Sequence, residues 1–125
     1  MKRLGIESWF LLLSLEFPMR FSGVGALHGI VRGQRLHSPA VPQRPSCETL
    51  CSAVDLACVF YFKRVLCLQR SAATVLLLRR YGWSAELVIG TQLIPFQSHA
   101  WVEVEGAIVN DKPYLLDIYQ VLERC

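Results

Sequence analysis

Cys67-Leu68-Gln69-Arg70-Ser71-Ala72-Ala73-Thr74-Val75-Leu76-Leu77-Leu78-Arg79-Arg80 opens a stretch that runs to Asp111 and decides how the chain is read. Leu68, Ala72, Val75, Leu76 and Arg79 recur at helical spacing, which predicts a helix buried along one side, placed centrally and headed by Cys67. Gly82 serves as its stop, and Glu86–Ile89 reads as a buried strand. Thr91 to Gln97, with Pro95, forms a loop. Ser98-His99-Ala100-Trp101-Val102-Glu103-Val104-Glu105 follows as a second strand and, past Gly106, Ala107-Ile108-Val109-Asn110-Asp111 as a third. A cysteine at a helix start, a histidine on one strand and an aspartate on the next supply a thiol nucleophile, its base and a group to orient that base.

A three-residue hairpin loop, Val104-Glu105-Gly106, with Gly106 left-handed, sets Glu103 opposite Ala107, Trp101 opposite Val109 and His99 opposite Asp111. Directly opposed residues share a sheet face with Cβ atoms roughly 4.5–5.5 Å apart. The pairing thus presents an imidazole beside a carboxylate, and a one-residue slip would separate them. Trp101 and Glu103 fall on the same face. Trp101 shields the pair, lines a groove or is plain core; Glu103 there needs a cationic partner or solvent. A thiolate at Cys67 would meet the unpaired N–H groups and positive dipole end of its helix. The competing reading makes Cys67 a buried core residue like other cysteines. Arg70, one turn on, is in reach of a substrate carbonyl or of a structural acid.

Four motifs together carry a resemblance: Cys67-Leu68-x-Arg70-Ser71, Leu76-Leu77-x-Arg79-Arg80-x-Gly82, Leu87-Val88-Ile89-Gly90 and His99-Ala100-Trp101-Val102-Glu103. With the spacing of Cys67, His99 and Asp111, they resemble the lasso-peptide leader peptidases. These are transglutaminase-like cysteine peptidases of bacterial ribosomal-peptide biosynthesis, the protease part of the "B protein". The similarity is strongest from Cys67 to Asp111. It implies an α+β fold: a papain/transglutaminase-like core with N-terminal helices, a nucleophile-bearing central helix and a small antiparallel sheet. Residues 1–125 would form one domain, with 1–45 as helical segment and connector and 46–125 as the catalytic core.

The resemblance also implies the chemistry. Cys67, His99 and Asp111 form the catalytic triad, and a leader peptide is released from a lasso-peptide precursor through a thioester acyl-enzyme, with no cofactor and no metal. The Cys67 N–H is the natural first oxyanion donor. Papain-like enzymes place a glutamine upstream of the cysteine where this chain has Tyr61, so the second donor stays open, with Gln92 and Gln97 as candidates. Arg70 gains a leader carboxylate as a further possible partner. The implied partners are the precursor's leader region, a separate leader-binding recognition protein and a macrolactam synthetase. The residues before Leu66 read as too helical and apolar for the recognition domain, so a stand-alone peptidase is expected. The alternatives are a transglutaminase-like acyl transferase, a non-catalytic partner-binding protein and a membrane-associated structural protein.

The remaining sequence narrows the setting. The chain has 125 residues, 53% hydrophobic and 18% charged, enough for a core and too apolar for disorder. Its net charge of +3 is uneven. Residues 1–46 hold six Lys/Arg against two acids and the remainder seven against eight, so the catalytic part shows no nucleic-acid footprint. Trp9 to Leu15 is too short an apolar run to span a bilayer and lacks a cleavage site for a secretory signal. It predicts a helix over about residues 6–16, stopped before Pro18, with membrane contact through Trp9 and Phe10 as one option. A second short helix is expected around 24–32, and His37 to Pro45 reads as a proline-punctuated connector. His28 and His37 read as solvated.

Ser46 predicts an N-cap, and Leu50, Val54, Ala57, Cys58 and Tyr61 line one face of a helix ending near Phe62. Cys47 and Cys51 lack the partners a zinc site needs. Five unevenly spaced cysteines point away from a disulfide framework and toward a reducing cytosol. Tyr114 to Glu123 reads as a short helix covering the sheet, and Cys125 as incidental.

Overall fold

The computed structural model describes residues 2–22, 29–32, 45–93 and 96–125. Residues 37–44 of the expected connector, both histidines expected to be solvated, and residues 24–28 of the second helix lie outside these. In chain order the elements are α1 (Lys2–Ser22), α2 (Cys47–Val59), α3 (Cys67–Arg80), β1 (Ala85–Leu93), β2 (Phe96–Val104), β3 (Ala107–Ile108), α4 (Leu115–Ile118) and β4 (Gln120–Arg124). Residues 29–32 are also helical. The strands form an antiparallel sheet in the order β3-β2-β1-β4. The expected α+β architecture holds.

Helix α3 is more deeply set than its one-sided apolar pattern predicts. Every side chain from Ser71 to Arg79 is buried, because α1 and α2 cover one side of α3 and the sheet covers the other. Leu12 and Leu15, Leu50 and Val54, Val75, Leu77 and Leu78 meet Leu87, Ala100 and Val102 from the sheet in one core. Gly82, at φ 90°, ends α3: its N–H donates to Arg79 O at 3.1 Å and Trp83 N–H to Leu78 O at 2.9 Å. That is the pattern of a left-handed glycine closing a helix. Ser46 caps α2 as expected, its Oγ accepting from the Thr49 N–H at 3.1 Å. The guanidinium of Arg79, buried at the far end of α3, donates to Ala85 O (3.0 Å), Val31 O (2.6 Å) and Cys125 O (2.9 Å). One cation thus joins a strand start, the helical 29–32 segment and the residue after β4.

Three expectations are corrected. First, α1 runs through Pro18 instead of stopping before it. Proline there forfeits one intrahelical bond, and the burial of Leu11, Leu12 and Leu15 against the other helices offsets it. Second, the segment read as a loop from Thr91 to Gln97 is mostly sheet, with Leu93 paired to Phe96. Third, Tyr114 to Glu123 is not one helix. Only Leu115–Ile118 is helical, and Gln120–Arg124 pairs along the free edge of β1, with reciprocal bonds between Leu87 and Cys125 (2.8 and 2.9 Å) closing the ladder. An edge with unpaired N–H and C=O groups offers more to this segment than a second helical turn does.

A buried polar cluster fixes α1 to α3. The Glu16 carboxylate is almost fully enclosed and accepts from Lys63 Nζ (2.7 Å), Tyr61 Oη (3.1 Å) and Gln69 Nε2 (3.4 Å), while Gln69 also donates to Leu12 O at 3.0 Å. The bond from Lys63, opposed by burial and aided by Tyr61 and Gln69, holds the Glu16 carboxyl below the ordinary glutamate range. Its stabilising contribution is complete above that ordinary range and is lost as pH falls through the folded-state value. Urea unfolding of the wild type should therefore shift to lower midpoints as pH drops below roughly 5. Glu16→Gln should be less stable at neutral pH and show a flatter acid limb. Parallel curves for the two proteins would show that Glu16 is not the titrating group.

Candidate active site

Cys67 is the first helical residue of α3 and is half-buried. Leu66 precedes it in extended conformation and makes no side-chain capping bond, so the first amides of the helix have no side-chain acceptor there. One turn on, Ser71 Oγ donates to Ala100 O at 3.0 Å and accepts from Asn110 Nδ2 at 3.1 Å. The Asn110 side chain also accepts the Val102 N–H through Oδ1 at 2.8 Å. Arg70, on the neighbouring flank of the same turn, donates from Nη2 to Asn110 O at 2.9 Å and lies 3.7 Å from Asp111 Oδ2. Its Nη1 lies 3.5 Å from Asp55 Oδ1 of α2.

His99 and Asp111 meet directly, Nε2 to Oδ2 at 2.7 Å. Burial pushes the Asp111 carboxyl up, but the His99 bond, the Lys112 N–H bond to Oδ1 (2.8 Å) and the charges of His99 and Arg70 together hold it below the ordinary aspartate range. An ionised carboxylate is acceptor-only, so the ring donates through Nε2–H, and in the neutral ring Nδ1 carries the lone pair that can take a proton. Among the described residues no hydrogen bond joins the Cys67 sulfur to this ring. The structure therefore brings two of the three expected residues into contact and ties the helix start bearing the third to the same loop through Arg70, Ser71 and Asn110.

The pairing that led to His99 and Asp111 is itself corrected. The hairpin has a two-residue turn, Glu105 and Gly106 at φ 52° and 82°, so Glu103 pairs with Ile108 and Val104 with Ala107. This is the one-residue slip that should have parted the two side chains. It does not, because β3 ends at Ile108 and the chain leaves the ladder: past the Val109 N–H bond to Val102 O at 3.0 Å, the Asn110 side chain replaces the backbone as partner of β2. Asp111 then sits on a loop free of the sheet's alternation.

The far side of the sheet walls the ring. Tyr119 stacks on His99 with centroids 5.5 Å apart and planes at 26°, and Trp101 lies 6.1 Å away. Trp101 is fully buried with Val88 and Leu115, so its role is both core and wall. Its indole N–H donates to Glu103 Oε2 at 3.0 Å, and Glu103 finds the cation it needs in Arg124, Nη2 to Oε1 at 3.3 Å. Beside Asp111 opens a cleft of about 490 Å³ lined by Cys47, Glu48, Cys51, Asp55, Val109 and Asn110, among others. Tyr61 is turned into the α1 cluster, and Gln92 and Gln97 face each other at 3.5 Å on the hairpin. Among the described residues no three His, Cys, Asp or Glu side chains are grouped to hold a metal ion, and no helix is long and apolar enough to cross a membrane.

The sequence pattern of the transglutaminase-like superfamily matches residues 11–124, nearly the full extent of the fold just described. The chain belongs to the transglutaminase-like superfamily. Over 56 residues it is 43% identical to the microcin J25-processing protein McjB of Escherichia coli, a match covering 45% of this chain and 27% of that protein. No solved structure matches the chain.

In this transglutaminase-like site, four participants escaped the sequence reading: Asn110, Ser71 and Tyr119 as supports, and Arg124 as the partner of Glu103. Gly90 holds the wall together from below. It pairs with His99 across the strands, and a Cβ there would lie 2.6 Å from Trp101 Cη2 and 3.0 Å from Tyr119 Cβ. Gly90→Ala should cost roughly 1–3 kcal/mol of stability through overpacking and quench or shift Trp101 fluorescence. A variant with unchanged stability and spectrum would show that the ring wall is loose.

Proposed function

We propose that this chain is a cysteine peptidase that removes the leader from a lasso-peptide precursor, with Cys67 as nucleophile, His99 as base and Asp111 as the group that orients it. The observation that carries the reading is the 2.7 Å bond from His99 to Asp111, held against the helix turn that begins at Cys67. The similarity to a microcin J25-processing protein supports the choice of substrate class. Leader recognition by a separate binding protein and hand-over to a macrolactam synthetase belong to the same proposal, as does removal of the leader before ring closure.

In the first step His99 Nδ1 takes the thiol proton and the Cys67 sulfur bonds to the scissile carbonyl carbon. The negative charge moves to the carbonyl oxygen, where the Cys67 N–H can donate to it. Asp111 steadies the imidazolium. The C–N bond then breaks, the ring proton leaves with the amine of the core peptide, and the leader stays as a thioester on Cys67. Water, deprotonated by the same nitrogen, attacks the thioester; the C–S bond breaks, and the leader departs as a carboxylic acid. Contacts between nucleophile and base commonly tighten only with substrate in place, so a thiol outside hydrogen-bond reach of the ring in the free chain is compatible with this chemistry.

Two measurements test it. Incubated with a lasso-peptide precursor and its recognition partner, the wild type should release a leader of the expected mass, and Cys67→Ala should lose about 10³-fold or more of that rate. Cleavage that survives the substitution removes the nucleophile assignment. Iodoacetamide should label Cys67 well ahead of Cys51 and Cys58, whose thiols burial pushes up to about 12 and about 11.

A further inference from the structure

The geometry points to Arg70 as the positioning residue of this site, pinning the loop after β3 to the first turn of α3 so that the Asp111 carboxylate stays delivered to His99. The assignment rests on the peptidase reading above. Asp111 owes its place to no strand, since β3 ends at Ile108. Asn110 secures its own side chain to Ser71 and Val102, which leaves the backbone running into Asp111 to be held separately. A single nitrogen, Arg70 Nη2, does this: it donates to Asn110 O at 2.9 Å and stands 3.7 Å from Asp111 Oδ2. Arg70 also lies three residues beyond Cys67 on the same rigid helix, so one side chain sets the carboxylate's place relative to the thiol.

The requirement is for a fork and not merely a charge. While Nη2 serves the loop, Nη1 reaches back to Asp55 on α2 at 3.5 Å, so the guanidinium plane spans from α2 to the Asp111 loop. An ammonium is a point charge and cannot hold both ends. Among the described residues Arg70 Nε is buried without a hydrogen-bond partner. Leaving one buried donor of a partly exposed arginine unsatisfied is a poor way to add stability, and it makes sense where orientation is what the residue supplies.

Arg70→Gln and Arg70→Lys in the full chain test this in two ways. In steady-state leader release, Arg70→Gln should lower kcat roughly 10- to 100-fold, the scale of loss when a reacting group is misplaced by up to about 1 Å, with KM within about twofold. Arg70→Lys should retain part of the activity, losing severalfold in kcat and nothing in KM. A raised KM at constant kcat would place Arg70 on the substrate and overturn the positioning role. The second readout needs no substrate: the downfield proton resonance of the His99–Asp111 bond should shift or broaden in Arg70→Gln, and an unmoved resonance overturns the proposal. Should Arg70→Gln not fold, Arg70→Lys at wild-type kcat with an unmoved resonance overturns it equally. Because the resonance is read without cleavage, a chain that cleaves nothing still decides Arg70, whereas Cys67→Ala decides the peptidase reading alone.

Discussion

A charge-assisted hydrogen bond between a strand residue and a loop residue lies at the centre of this molecule, and the sheet alone would not make it. His99 is placed by a regular antiparallel ladder with β1, whereas Asp111 comes after a strand of only two residues. The 2.7 Å contact exists because an asparagine side chain takes over where the third strand stops. Backbone pairing yields to side-chain pairing there, and the chain gains freedom to turn a carboxylate toward a ring that strict alternation would have put out of reach. The surrounding structure serves that exchange. Ser71 and Arg70 supply the helix-side anchors, and the buried length of α3 keeps them from shifting.

Much of the fold was legible because its signals are local. Ser46 before an amphipathic run, Gly82 after one, and the β-branched segment around Val88 each act within a few residues. The misreadings share a different cause. Pro18 reads as a stop because the pattern shows the forfeited backbone bond and not the packing that offsets it. The C-terminal segment reads as helix because nothing in its own residues reveals that β1 has an open edge. The sequence reaches His99 and Asp111 through a hairpin whose turn is one residue too long. The structure brings the two side chains together by another route, since turn length sets register while the loop beyond the strand is free to undo it. The links from Arg70 and Asn110 could not be read from sequence at all, as they join segments about forty residues apart.

The polar groups buried around α3 divide into two kinds. At its C-terminal end Arg79 satisfies three carbonyls from three segments, and its neighbours there are backbone atoms that any sequence would supply. Near the N-terminal end Gln69, Arg70 and Ser71 bond mostly to particular side chains or to the backbone of particular turns. The first arrangement tolerates change in the residues it touches and the second does not. A helix locked at one end by generic contacts and at the other by specific ones has its sequence-dependent geometry at the end that bears the thiol.

The plain leucine ahead of Cys67 has a meaning of its own. Ser46 closes the start of α2 with a hydroxyl, while Leu66 offers α3 nothing of the kind. A serine or aspartate at that position would be worth about 1 kcal/mol to the helix, and it would do so by occupying an amide at the second or third helical position. Leaving the opening bare forgoes that gain and keeps the amides vacant for an electron-rich oxygen arriving from outside the chain. On the proposed function, thermal robustness and reactivity therefore compete at one residue, and a variant selected purely for heat resistance would be expected to fill that gap first and to silence the proposed peptidase in doing so.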